Sequence, residues 1–507
     1  MTSASTDNPA GFAFDNRYAR DLEGFYAPWQ AAQVPAPRLL QFNRELATEL
    51  GLDADALDGP LGAAIFSGNQ APPGATPLAQ AYAGHQFGGY SPQLGDGRAL
   101  LLGELIDRHG QRRDIALKGS GRTPFSRGGD GKAALAPVLR EYLMGEAMHA
   151  LGIPTTRALA AVATGEVVQR DGRAPPGAVL TRVAASHIRV GTFQFFAARG
   201  EAADLRRLAD HVIARHDPAL QDHANPYLAL LQAVAERQAA LVARWMAVGF
   251  IHGVMNTDNM AVSGETIDYG PCAFMDHYDP ATVFSSIDRD GRYAYGNQPH
   301  IARWNLARLA EGLLPLLHSE AEPAVALATE VIDAFPARYQ HHHLAQMRRK
   351  LGLQGEQADD AALASDFLAS MVGQAVDFTQ AFRQLGELAQ DPSGGRDAGL
   401  RALYLDASAL DAWLPRWRAR LALGANSGVD GAAGSLVAMR QANPVYIPRN
   451  HLVEAALSAA VERDDFAPFE TLLRVLRQPF QADPAWAAFA EPATAEQAAG
   501  YRTFCGT

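Results

Sequence analysis

The stretch His252-Gly-Val-Met-Asn-Thr-Asp-Asn-Met-Ala-Val-Ser-Gly-Glu-Thr-Ile-Asp268-Tyr-Gly270 crowds carboxylates, carboxamides and a histidine around one turn signal. Ser263-Gly264 reads as the tip of a two-residue hairpin, a register that sets Asn259 directly opposite Asp268. Residues paired in that way have Cβ atoms roughly 4.5–5.5 Å apart, close enough for both side-chain oxygens to hold one hard cation. Asp258 precedes Asn259 and is placed to activate a hydroxyl beside that cation. An Asn/Asp-rich turn held by its own backbone hydrogen bonds is the plain alternative. The coincidence of His-Gly, carboxamide and carboxylate in one register favours Mg²⁺ binding over it.

Upstream, period-2 alternation in Asp114-Ile-Ala-Leu-Lys118 puts Asp114, Ala116 and Lys118 on one strand face and Ile115 and Leu117 on the other. A lysine beside a small alanine either grips nucleotide phosphates or sits exposed on a sheet edge. The next helix carries Leu139, Tyr142, Leu143, Ala147 and Leu151 on one stripe and stops at Gly152, with Pro154 beyond. Glu141 lies off that stripe, so it either faces a polar cleft and pairs with Lys118 or faces solvent. Two glycine-rich segments flank the strands. Gly84 to Arg98 includes Gly95, Gly97 and Arg98, and Lys118 to Lys132 includes Asp130 and Gly131. Such backbones approach an anion closely, although a glycine-rich turn is also the ordinary way to join two strands. Arg182 and Arg189 flank the β-like run LTRVAASHIRVG and are spaced to close over a triphosphate, or are simply solvated.

The 507 residues carry 44 Lys+Arg against 55 Asp+Glu, a formal charge of −11, which argues against a general nucleic-acid binder. No stretch approaches the ~18 apolar residues of a membrane span, and the N-terminus lacks a basic and apolar leader pattern, so a soluble, cytoplasmic enzyme is expected. Two cysteines, Cys272 and Cys505, are too few for a disulfide framework. The expected organisation is an N-terminal wrap (1–75), a β-rich nucleotide-binding lobe (76–177), a helical catalytic lobe with the metal-binding hairpin (178–302) and a helical C-terminal region (303–507). Helices are expected over Asn43–Leu52, Tyr227–Met246, Arg303–Leu317 and Leu452–Leu476.

A glycine-rich hairpin, Ala-Leu-Lys118, a helical Glu141, His252 with Asn259 seven residues on, and Asp268-Tyr-Gly together resemble a protein-kinase fold, an α+β bilobal architecture. In the kinase register Val254 stands where the catalytic Asp is expected. The longer strings YAGHQFGGYSPQLGDGRALLLGE, DIALKGSGRTPFSRGGDGKAALAPVLREYLMGEAMHALGIPTTRAL, GFIHGVMNTDNM, IDYGPCAFMD, NPVYIPRNHLVE and the terminal TFCGT are similar to selenoprotein O, protein adenylyltransferases with a kinase-like fold. That resemblance implies transfer of AMP from ATP, or of UMP from UTP, to hydroxyls of protein substrates. It implies nucleotide contacts from Gly95, Gly97, Arg98, Lys118, Asp130, Gly131, Arg182, Arg189 and Asp268. It further implies Mg²⁺ or Mn²⁺ on Asn259 and Asp268, and Asp258 as proton acceptor. The alternatives are a kinase-type phosphotransferase and a silent pseudokinase scaffold.

Many eukaryotic members of that family carry selenocysteine at the third position from the end, where this chain has Cys505. Cys272 lies four residues after Asp268, in the segment corresponding to an activation loop. The two thiols are therefore candidates for a regulatory disulfide, with two inert buried thiols as the alternative.

Overall fold

The computed structural model describes residues 8–170, 172–391, 394–425 and 431–504. The aliphatic alternation read upstream of the helix produces β6 (Ala99–Ile106) and β7 (Arg112–Lys118), which pair antiparallel with Ala99 opposite Lys118. They join β1 (Tyr26–Pro28), β2 (Arg38–Phe42), β3 (Leu78–Gln80), β9 (Arg157–Val167) and β10 (Pro176–Ala184). The sheet runs in the order β1-β3-β6-β7-β10-β9-β2, with the short β8 (Ala133–Ala134) paired to β10. Both edge strands come from the N-terminal segment, and β10 crosses position 178, where the helical lobe was expected to start.

The alternation decides which face each residue serves. Leu100, Leu102, Ile115, Leu117, Val179 and Val183 point to a core closed by Ile65 and Phe66 of the Pro60–Ser67 helix. Leu101, Ala116 and Leu180 point the other way, onto Leu139, Leu143 and Met144 of the Leu135–Ala150 helix. The latter helix ends as read, with Leu151 as cap and Gly152 at φ 74°. Below it lie the Pro226–Val248, Gln298–Leu317 and Ala321–Leu351 helices, so the chain combines an antiparallel sheet with a large helical layer. Among the described residues no helix is long and apolar enough to cross a membrane.

Two sequence expectations fail locally. Leu452–Leu476 is not one helix but two, Asn450–Arg463 and Ala467–Leu476, broken at Asp464 with φ 53°. The Asn259–Gly270 hairpin is also absent. Pairing occurs outside it, between β11 (Phe250–Ile251) and β12 (Ala273–Phe274), while Thr257–Asn259 forms a single 3₁₀ turn. The reason is competition for backbone partners: Ala261 bridges to Arg189 and Thr266 to Thr155, so neighbouring elements satisfy the groups a hairpin ladder would use. Only the Ser263-Gly264 turn survives, with the Gly264 N–H donating to Ala261 at 3.2 Å.

One buried charge in the helical layer bears on stability. Lys350 is 2% exposed, its Nζ lies 4.1 Å from the Phe382 ring centroid, and it forms no ion pair among the described residues. Burial pushes its ammonium down to about 7. The folded value lies below the unfolded one, so the unfolded chain binds more protons between about 7 and 10.5 and stability rises with pH across that window. Lys350→Met is expected to raise the melting temperature at pH 7 by roughly 2–5 °C and to flatten that rise, checked by calorimetry at pH 7 and pH 10.

Candidate active site

The sheet and the helical layer enclose a cleft of about 620 Å³, and all twelve residues expected to bind nucleotide or metal, take the proton or pair with Lys118 line it. Its roof is two loops packed on each other. A Cβ on Gly95 would overlap the Phe125 ring, and one on Gly97 would come 2.9 Å from the Phe125 carbonyl oxygen. Gly131, at φ 68°, faces the Gly121 carbonyl with no room for a side chain. These three glycines are therefore required by loop-on-loop packing, whatever else the loops hold. Thr123 Oγ1 donates to the Asp96 carbonyl at 2.6 Å and the Gly119 N–H to the Arg98 carbonyl at 2.7 Å, which fastens the layers. Asp130 is committed to Arg170 at 2.8 Å, which holds its carboxyl below the usual range. Arg98 lines the cleft without an ion pair among the described residues.

The centre is a cluster of buried charges. Lys118 Nζ lies 2.6 Å from Glu141 Oε2 and 2.5 Å from Asp268 Oδ1. Of the two fates open to Glu141, the structure selects the cleft-facing ion pair. Strand register brings in the next cation: Arg182 pairs across from Ala116, and its Nη1 reaches Asp268 Oδ1 at 2.8 Å and Glu141 Oε1 at 3.2 Å. Arg189 caps the Val190–Ala197 helix, stacks 4.3 Å from the Tyr82 ring centroid, and stands 3.8 Å from both Asp268 and Asp96. Burial raises the Asp268 carboxyl, but Lys118, Arg182 and Arg189 outweigh it and hold Asp268 well below the ordinary carboxylate range.

Asp258 has the opposite environment. Burial lifts its carboxyl to about 6 against the pull of Arg189. Oδ2 accepts a 3.3 Å hydrogen bond from Gln86, while Oδ1 is buried without a partner. Asn259 donates its amide Nδ2 to the Val254 carbonyl at 3.0 Å, which leaves Oδ1 as the acceptor on a cleft-lining residue. Asn259 and Asp268 thus share the cleft without facing each other across a ladder. Asp268 adopts φ 64°, a left-handed conformation uncommon outside glycine. His252 braces that turn from behind, fully buried, with Nε2 donating to the Ile267 carbonyl at 2.9 Å and Nδ1 accepting from the Val254 N–H.

Sequence reasoning missed the residues that hold Arg182. Arg182 Nε donates to His187 Nε2 at 3.1 Å, and His187 Nδ1 lies 2.9 Å from Asp114 Oδ2. Arginine can only donate, so His187 Nε2 accepts and the proton sits on Nδ1, facing Asp114. Asp114 in turn pairs with Arg215 at 2.6 Å, and Arg215 with Glu104. The signal available was the face shared by Asp114 and Lys118, since a carboxylate on the inner face of a central strand needs a cation.

Cys272 is fully buried, its thiol donates to the Tyr269 carbonyl at 3.2 Å, and burial pushes it up to about 12. Cys505 lies outside the described residues. The tail before it passes the same segment, because Thr503 Oγ1 donates to the Pro271 carbonyl at 2.6 Å.

A family model described as "Protein adenylyltransferase SelO" matches residues 10–477. The chain is 64% identical over 496 residues to a protein nucleotidyltransferase YdiU of Cereibacter sphaeroides, covering 98% of this chain and 100% of the relative. It is 59% identical over 500 residues to a YdiU of Methylorubrum extorquens, covering 98% and 99%. A third YdiU, from Rhizobium etli, is 58% identical over 509 residues and the full length of both. With matching that extends through both glycine-rich loops, the charge cluster and the helical layer, the chain belongs to the SelO family of protein adenylyltransferases.

Proposed function

We propose that this kinase-like, two-lobed chain transfers AMP from ATP to Ser, Thr or Tyr hydroxyls of protein substrates and releases pyrophosphate. The observation that carries the reading is Asp258, a buried carboxylate with one unpartnered oxygen in the same cleft as a cluster of three cations. Membership of the SelO family supports the nucleotidyl chemistry. A kinase-type base is missing, because the position where that Asp is expected holds the buried, apolar Val254.

Lys118, Arg182 and Arg189 bind the triphosphate, with Arg98 at the glycine-rich loop. They partly neutralise the charge that builds on departing pyrophosphate. The acceptor hydroxyl donates its proton to Asp258 as its oxygen attacks the α-phosphorus; the new P–O bond forms while the bond to the β-phosphate breaks. Asp268 and the Asn259 carboxamide offer two hard oxygen donors. Among the described residues no group of three or more His, Cys, Asp and Glu stands ready to hold a metal unaided. That donor set fits Mg²⁺ or Mn²⁺ held jointly by protein and phosphates rather than by a protein cage. When bound, the ion supplies charge neutralisation at the phosphates.

Two experiments test this reading. Intact-mass spectrometry after incubation with ATP and Mg²⁺ or Mn²⁺ is expected to show protein gaining AMP, and Asp258→Asn is expected to lower the rate at least about 100-fold. Gain of a phosphate instead returns the chain to the phosphotransferases, and tight ATP binding without any mass change favours a scaffold. UTP in place of ATP reads out the alternative donor. Second, His187→Leu removes the acceptor that orients Arg182 and is expected to raise the KM for ATP about 10- to 100-fold with a smaller change in kcat. His187→Gln, which can still accept from Arg182 Nε, is expected to recover most of the loss in steady-state assays.

A further inference from the structure

The hairpin β4 (Gly84–Gln86) and β5 (Gly89–Ser91) is attached to the turn that carries Asp258. Three consecutive residues of that turn hold it. Asn256 Oδ1 accepts from the Phe87 N–H at 3.1 Å, Thr257 Oγ1 from the His85 N–H at 2.7 Å, and Asp258 Oδ2 from the Gln86 amide at 3.3 Å. Gly84 packs so closely that an added Cβ would lie 2.6 Å from Asp258 Oδ1. The tip residues Phe87 and Gly88 are both left-handed, at φ 51° and 85°.

The outer side of this hairpin is an aromatic ledge at the cleft mouth. Phe87 and Tyr90 stay 38% and 41% exposed, and Ile287 of the cleft lining is 49% exposed. Phe87 packs on Tyr293 and His85 packs edge-on to Trp304. Arg292 lies over Trp304 at 4.8 Å and beside Gly88 at the tip. Its guanidinium forms no ion pair among the described residues, and its Nε is buried without a hydrogen-bond partner. Two acids near it are already engaged: Asp288 accepts the Arg292 and Tyr293 backbone N–H groups, and Glu311 pairs with Arg308 at 2.7 Å. Like Arg98 in the cleft, Arg292 thus stands without a carboxylate partner among the described residues, but here beside an exposed aromatic surface.

We infer that this ledge is the docking surface for the acceptor polypeptide, and that Arg292 selects segments with an acidic side chain close to the modified hydroxyl. The inference rests on the adenylyl-transfer reading. Asp258 receives the hydroxyl proton, the aromatic ledge supports the backbone, and the guanidinium over Trp304 takes the carboxylate. Gln86, which marks Asp258, and Gly88, which marks Arg292, are two residues apart, a span of at most ~7 Å. With the Gln86 side chain and both contacts added, one short extended segment still reaches from Asp258 to Arg292, which places the acidic residue within a few positions of the hydroxyl.

The probes are fluorescein-labelled peptides with one Ser, Thr or Tyr flanked at those positions by Glu or by Lys. Both AMP incorporation and binding by anisotropy are measured. The wild-type chain is expected to favour Glu peptides about fivefold in both readouts. Arg292→Gln should erase the preference and Arg292→Glu should invert it toward Lys, with ATP affinity and melting temperature unchanged as the check on folding. Inversion in binding without AMP on any peptide would uphold the ledge and defeat the adenylyl-transfer reading. AMP incorporation with an unchanged Glu-to-Lys ratio across the three proteins, or no peptide binding at all, overturns the ledge.

Discussion

Asp268 and the three cations around it are the constraint on which the cleft depends. A carboxylate taken from water into a cavity lined by Lys118, Arg182 and Arg189 is held charged by those cations, which together outweigh the cost of burial. The same holds in reverse, since Arg182 is itself only 2% exposed and would be an uncompensated buried charge without Asp268 and Glu141. Such a cluster is costly to assemble for stability alone, because well-packed apolar residues do that job at least as well. On the proposed chemistry its value is exchange. A triphosphate would take over the cations from Asp268, leaving that carboxylate as an oxygen donor that would hold a divalent cation and so help neutralise the phosphates.

The rest of the fold is arranged to keep those side chains in register. Lys118 ends β7, Arg182 lies on the neighbouring β10, and antiparallel pairing sets Leu180 opposite Lys118, so both cations emerge from one patch of sheet. Glu141 comes from the helix packed on that face, and its apolar neighbours Leu139, Tyr142 and Leu143 anchor it in the core. Behind Arg182, His187, Asp114, Arg215 and Glu104 form a chain of buried partners that ends at the Tyr18 N–H in the N-terminal segment. Burial and the adjacent Asp114 charge raise the Glu104 carboxyl to about 7, while Arg215 pulls against them. The N-terminal segment therefore both supplies the sheet's edges and closes a charge network that reaches the cleft.

What was legible in the sequence follows from how local its cause is. The faces of β6 and β7, the helix stop at Gly152 and the Lys118–Glu141 pair are set by period-2 alternation, a glycine cap and one off-stripe acid. β9 was not legible. Its core RALAAVATGEV is rich in alanine, a weak strand former, and it is a strand because small residues fit beneath the helices that cover both faces. The supposed hairpin failed for a related reason, since Thr155 and Arg189 are far away in sequence and captured the backbone groups it needed. That Asn259 and Asp268 nevertheless share the cleft is owed to β11 and β12, which close the loop at its base, and to His252 bracing Ile267.

Two aspartates ten residues apart on one loop thus acquire opposite characters. Asp268, in the grip of three cations, is too stabilised as an anion to accept a proton readily. Asp258 is the more shielded from solvent, and Arg189 with the Gln86 hydrogen bond only partly offsets the desolvation cost, so its carboxyl rises to about 6 and remains basic enough to be useful near neutral pH. When one cleft drives two like groups apart in this way, the roles divide by environment: the stabilised anion suits cation binding and the destabilised one suits proton transfer. The assignment does not require the kinase register, in which Val254 occupies the place of the base. It requires only that the turn Thr257–Asn259 deliver Asp258 to the cleft and that the Gly84 hairpin leave one of its oxygens without a partner.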